Sequence, residues 1–115
     1  KWFLQELNIK TEFVKASDFQ FDGTKSDLVL DMCKTLKAHT YIFGIRGKDY
    51  AKLNDFKNEK ISVIFQNYNH PTYKQNFGTF IPNLSIIDLL FNCGPQSKKI
   101  LMSQNMTKDQ LNSNI

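Results

Sequence analysis

The sequence predicts an α/β fold: a three-layer, Rossmann-like βαβαβ unit on a parallel sheet, with additional C-terminal helices. Three observations carry that expectation. Short runs with strand composition stand at Ile9–Ala16, Tyr41–Phe43 and Ile61–Phe65. Segments with apolar residues at the helical spacing i, i+3, i+4, i+7 separate or follow them. The joints are short, as crossover connections between neighbouring parallel strands require.

Taken in order, Trp2, Phe3, Leu4 and Leu7 read as the last turns of a helix. Ile9–Ala16 alternates in part and reads as the first strand. The polar stretch SDFQFDGTKS turns at Asp22-Gly23. Ser26 is expected to cap the next helix, on which Val29, Met32, Cys33 and Leu36 make one apolar stripe. Tyr41–Phe43, ending at Gly44, reads as a strand buried on both faces, Lys48–Phe56 as a second helix and Ile61–Phe65 as the third strand. Asn67–Asn83 is polar, aromatic and without a period, and reads as an ordered loop. In Ser85-Ile86-Ile87-Asp88 the hydroxyl and the carboxylate have the spacing of a capping box. Ile86, Leu89, Leu90 and Cys93 follow as a stripe that Ile87 and Phe91 widen, so this helix is expected to be buried on more than one side. Gly94 stops it and Pro95 starts another, through Ile100-Leu101-Met102. Residues 1–102 are thus expected to form a single α/β domain, and 103–115 a polar tail that frays.

At 115 residues the chain can bury one core, and 41% hydrophobic residues with ten Phe rule against disorder. The net charge of +4 is scattered without a like-charge block, which speaks against nucleic acid as a partner. No apolar run reaches the roughly 18 residues of a membrane span. Cys33 and Cys93 have no CxxC spacing and fall in apolar helical patterns, so they read as free thiols in a reducing, cytoplasmic compartment. Asp18, Asp22 and Asp27 lack the EF-hand register, and no metal is expected.

Two stretches carry candidate chemistry. The first is Gly44-Ile45-Arg46-Gly47-Lys48-Asp49, a glycine-bearing turn at the carboxyl end of a predicted strand, where parallel sheets bind ligands. Every basic residue but Arg46 is Lys, so a planar bidentate donor stands there alone. The turn reads either as a plain connection with solvated charges or as a site for an anion or a sugar; it is not a P-loop. The second is Tyr68-Asn69-His70-Pro71-Thr72-Tyr73, where His70 is an acid/base or hydrogen-bonding candidate and the tyrosines can stack on a sugar or base. Pro71 biases His70 to an extended backbone, so a structural role stands beside the functional one. Nucleophilic catalysis has no visible carrier.

Four stretches in this order, TKSDLVLDMCKTLKAHTYIFG, GKDY, ISVIFQNYNHPTY and above all FGTFIPNLSIIDLLFNCGP, resemble the WbqC-like protein family. The resemblance runs from about Ile9 to Leu101. It implies a bacterial protein of surface-polysaccharide and O-antigen biosynthesis, and it implies that this chain is the C-terminal part of a longer protein. Arg46 departs from the family's usual small residues after the strand. No reaction or cofactor comes with the resemblance.

Two functions follow as expectations. One is an enzyme, such as a transferase, that acts on a nucleotide-linked sugar or moves a small activated group onto one. Gly44, Arg46, Gly47 and Lys48 would hold the anionic part, His70 and Asp49 would serve as acid and base, and Tyr68 and Tyr73 would form a platform. Asn83 and Ser85, at the start of a late helix, would offer amides and a hydroxyl to the ligand. The alternative is a non-catalytic module that binds a glycan intermediate or a partner protein through the aromatic loop. Apolar surface along Trp2 and Phe3 is expected to favour self-association.

Overall fold

The computed structural model describes residues 1–112 as a mixed α/β protein. Its backbone gathers into two compact units: a loop unit of Lys1–Glu12 and Tyr68–Asn105, and a sheet unit of Phe13–Asn67 with the described residues from Met106.

In the sheet unit, α2 (Lys25–Thr35) leads to β1 (Thr40–Gly44), then α3 (Leu53–Asn58) and β2 (Ser62–Gln66). The strands pair in parallel, Thr40 opposite Ser62 through Gly44 opposite Gln66. Tyr41, Phe43, Val63 and Phe65 alternate onto one face, where they meet Cys33 of α2 and Phe56 of α3. Phe43 is the centre: its ring stacks on Phe65 at 5.6 Å and meets Tyr41, Phe56 and Tyr50 edge-on. Such pairs contribute beyond the area they bury. Both helices end in the same way. Lys37 and Lys60 take left-handed backbone (φ +54° and +58°), and the next amides, of Ala38 and Ile61, bond back to the carbonyls of Cys33 and Phe56. This is the Schellman closure, and its apolar contact is made by core residues. The helix ends and the core therefore specify each other.

The first predicted strand is not formed. Residues 9–15 lie outside any strand, and the sheet among the described residues has two strands rather than three. The alternation explains this: one face would mix Ile9 and Phe13 with Lys15, and the other Val14 and Ala16 with Lys10 and Glu12, so neither register buries a clean apolar face. Phe13 and Val14 are about half exposed. Two smaller expectations are also corrected. Helix α2 starts from Thr24, and the buried Ser26 hydroxyl instead accepts the Lys52 amide at 2.9 Å, joining α2 to the start of α3. The span read as one helix from Lys48 to Phe56 is a 3-10 turn, Ile45–Asp49, followed by α3.

The loop unit holds α1 (Trp2–Glu6), the irregular stretch 68–85, α4 (Ile86–Cys93), a 3-10 turn at Gly94–Gln96, and α5 (Ser97–Met102). Gly94 ends α4 at φ +49°, and Pro95 opens the following turn, as the sequence predicts. Leu7, Tyr73, Leu89 and Ser97 are buried, and the Ser97 hydroxyl donates to the Leu89 carbonyl at 3.2 Å. Helix α4 is not buried on two sides: Ile87 and Phe91 stand 47% and 79% exposed. In the segment expected to fray, α6 (Lys108–Asn112) is helical. The Thr107 hydroxyl accepts the Gln110 amide, and the Gln110 side chain returns to the Thr107 amide. Residues 113–115 of the expected tail lie outside the described residues.

Candidate functional site

The loop 68–85 has no regular backbone ladder because Pro71 and Pro82 withhold amides and Gly78 and Asn83 take left-handed backbone. Side chains do the holding instead. Gln75 clasps Ile81 across the loop, accepting its amide at 2.8 Å and donating to its carbonyl at 3.0 Å. Asn92 of α4 accepts the Asn76 amide at 3.0 Å. Asp88 ties these together: its carboxylate accepts from Tyr73 (2.8 Å), Gln75 (2.9 Å) and Asn92 (3.0 Å). Of the capping-box expectation only the Ser85 cap is formed, and neither of the box's own two bonds, since the Asp88 amide bonds the Ser85 carbonyl. Ser85 caps α4 by accepting the Ile87 amide at 3.3 Å, while the Asp88 carboxylate is drawn to the loop rather than back to Ser85.

The clasp residues Gln75, Asn76, Ile81, Asp88 and Asn92 line a shallow hollow of their own, and a separate cavity of about 200 Å³ in the loop unit is walled by Tyr68, His70, Tyr73, Leu84, Ser85, Ile86 and Leu89 among others, with Tyr73 joining the two through its bond to Asp88. The Tyr68 hydroxyl donates to the Leu101 carbonyl at 2.7 Å, and the Tyr73 hydroxyl is spent on Asp88. Burial first, then the bond to the Asp88 carboxylate, hold the Tyr73 phenol above its ordinary range; burial alone raises that of Tyr68. His70 packs 6.0 Å from the rings of both Tyr73 and Phe80, which themselves meet edge-on. Its Nδ1 is buried and has no hydrogen-bond partner among the described residues. A buried polar atom is costly without a partner, and an ordered water or a ligand ordinarily supplies one.

The predicted site residues divide between the two units. Tyr68, His70, Tyr73 and Ser85 line one cavity. Asn83, exposed and at φ +59°, belongs to the same loop but is not part of that wall. The other five stand on the 3-10 turn and its cap in the sheet unit. There Gly47 has a packing reason: a Cβ at that position would sit 2.5 Å from the Phe43 side chain. The Lys48 ammonium lies over the Phe65 ring, 5.7 Å from its centroid. Gly44, Arg46 and Asp49 are exposed. Sequence reasoning missed Gln75 and Asn92, although Asp88 and Asn92, four apart on an apolar helix, form a polar stripe that was visible. Among the described residues, no three His, Cys, Asp or Glu side chains cluster as a metal set, and no helix is long and apolar enough to cross a membrane.

These features define an α/β protein with, among the described residues, a two-stranded parallel sheet, and with a side-chain-clasped loop beside a partly open cavity that His70 lines. The chain belongs to the WbqC-like protein family, which matches residues 1–100. It is 30% identical over 96 residues to an uncharacterized protein of Mycobacterium tuberculosis, an alignment that covers 83% of this chain and 42% of that relative. The chain thus spans less than half the length of the curated relative it matches. No solved structure matches it.

Proposed function

We propose that the protein serves bacterial surface-polysaccharide and O-antigen biosynthesis in the cytoplasm, as an enzyme that acts on a nucleotide-linked sugar or transfers a small activated group to one. The observation that carries this reading is the His70 ring in the wall of a partly open cavity, with its Nδ1 buried and unpartnered among the described residues. In this reading His70 is the acid or base at the cavity, Tyr68 and Tyr73 form its platform, and Ser85 and Asn83 meet the ligand at the start of α4. At about 200 Å³ the cavity is smaller than the roughly 300–1,000 Å³ of sites that enclose a whole ligand. It suits the reacting part of a nucleotide-linked sugar and leaves the nucleotide outside. Within the sheet unit, the turn from Gly44 to Asp49 keeps a proposed part as an anion contact, with Arg46 and Lys48 as its cations, Gly44 and Gly47 shaping it, and Asp49 as a second acid/base candidate. The larger Rossmann-like sheet belongs to the same proposal. Parallel strands normally lie within sheets covered on both faces, and the longer protein would add strands to β1 and β2. Self-association of the chain belongs to it too, since Trp2 and Phe3 stand 50% and 37% exposed.

A second reading, a non-catalytic module that binds a glycan intermediate or a partner protein, is favoured by Phe77. This ring is 88% exposed next to Asn76, whose amide Asn92 accepts, as a stacking surface would be. A thermal-shift screen of the full-length protein with nucleotide sugars and free nucleotides separates the two. Stabilisation that His70→Ala and Lys48→Ala abolish is the expected result. No shift with any nucleotide ligand sinks the enzyme reading and leaves the module.

A further inference from the structure

Helix α4 has two apolar faces, and the loop unit uses one of them. Leu89 is buried there, with Ile86, Leu90 and Cys93 partly buried beside it. On the other side Ile87 and Phe91, four residues apart and so neighbours on the helix surface, stand 47% and 79% exposed. Phe91 does not stand alone. Together with Trp2 and Glu6 of α1 and with Leu90, Gly94 and Pro95, it walls an open groove of about 540 Å³ within the loop unit. Trp2 is half exposed, and Glu6 is the one charged residue of that wall among the described residues. A contiguous apolar face of this kind marks a contact with another body.

The chemistry of the wall and the length of the relative together indicate which body. The groove offers rings and aliphatic carbons, without the set of converging polar side chains that orients a sugar. It also has no Lys or Arg among the described residues to hold a phosphate or an anionic lipid surface. A packed protein segment is what fits. More than half of the Mycobacterium tuberculosis relative lies outside its alignment with this chain, and a polypeptide roughly twice as long as this one still folds as one domain around a shared core. The two parallel strands of the sheet unit call for the same missing length, because such pairs normally lie inside larger sheets.

We infer that the α4 groove is an internal interface of the longer protein: an apolar segment of the same polypeptide, from the part outside residues 1–115, lies across Ile87 and Phe91 and fills the space between Phe91, Trp2 and Pro95. The second-side burial that the composition of α4 calls for, and that this chain lacks, is completed in this way. The inference is independent of what the His70 cavity binds.

Two measurements on the full-length protein test it. Hydroxyl-radical footprinting of the unmodified protein reads the exposure of the Phe91 ring directly. Oxidation several-fold slower than in a free peptide of residues 86–96, and unchanged on dilution, is the expected result. Oxidation at the rate of the peptide overturns the inference, because the ring is then open to water, and so does protection that dilution removes. The photo-crosslinking residue p-benzoylphenylalanine, placed at position 91, then identifies the cover. A crosslink to a residue of the same chain outside 1–115 supports the inference. A crosslink that joins two copies, or one that lands within 1–115, overturns it; the first of these is what the proposed self-association predicts. The same probe at position 2, on the other wall of the groove, gives the same reading where the variant at 91 does not fold.

Discussion

The two units are held together by different means. In the sheet unit, Phe43, Phe56, Tyr41 and Phe65 interlock, and Phe56 is completely buried. The backbone there is satisfied by helices, by the β1–β2 ladder and by two Schellman closures. In the loop unit, the stretch 68–85 has no ladder; Gln75 and Asn92 satisfy amides and a carbonyl of it from the side, and Asp88 holds those two side chains in place. The sheet unit is thus held by an aromatic core, whereas the loop unit is held by side-chain hydrogen bonds and carries the cavity that His70 lines. The site candidate lies on the loop whose shape is held by side-chain hydrogen bonds, as expected when function is placed on a loop that its surroundings hold in shape.

The largest effect that breaks this contrast is Phe56→Ala. Removing a fully buried ring costs about 3–5 kcal/mol, read as a lowered denaturation midpoint. Next comes Gly47→Ala, whose new Cβ must displace the Phe43 ring, itself almost wholly buried. The cost sits at the upper end of the ~1–3 kcal/mol of overpacking. If Gly47→Ala were neutral by chemical denaturation, the glycine would not be explained by packing.

The same contrast decides what was legible in the sequence. Helices α2 and α4 and strands β1 and β2 follow from apolar period and composition, because packing against a common core is what the period encodes. The overreading at Ile9–Ala16 came from counting strand-forming residues without asking whether either face was clean. Burial of Ile87 and Phe91 was inferred from apolarity alone, and apolar residues are not always inside. The cavity was legible only in pieces: Tyr68, His70, Tyr73 and Ser85 could be nominated. The clasp that holds the loop could not, because Gln75 meets Ile81 and Asp88 through side-chain geometry that no periodicity records.

Smaller, and aimed at the loop unit alone, is Asp88→Asn. Three donors converge on the Asp88 carboxylate, and an amide replaces one accepting oxygen by an NH₂ that faces a donor. The expected loss is about 1–2 kcal/mol, toward the lower end for a partly exposed network. Amide exchange distinguishes this from general destabilisation. Protection at Asn76 and Ile81 should fall, while that of the β1–β2 ladder stays unchanged. Equal loss in both places would mean that the loop is not an independently held structure.

The smallest effect is a pH dependence. The Tyr73 phenol is raised in the folded protein, by burial first and by the Asp88 bond second. The unfolded chain therefore gives up this proton at a lower pH than the folded one. Stability from this group is complete below the ordinary phenol value of about 10 and declines as pH rises from there through the raised folded value. Tyr73→Phe keeps the ring that packs on His70 and Phe80 and removes the titration. The variant should be about 1 kcal/mol less stable at neutral pH for want of the Asp88 bond, and its stability should fall less steeply above pH 10. Tyr41 and Tyr68 are raised as well, mainly by burial, so part of the alkaline slope must survive in Tyr73→Phe. If all of it survived, the phenol–carboxylate contact would carry no weight in the clasp, and Gln75 and Asn92 alone would hold Asp88 to the loop.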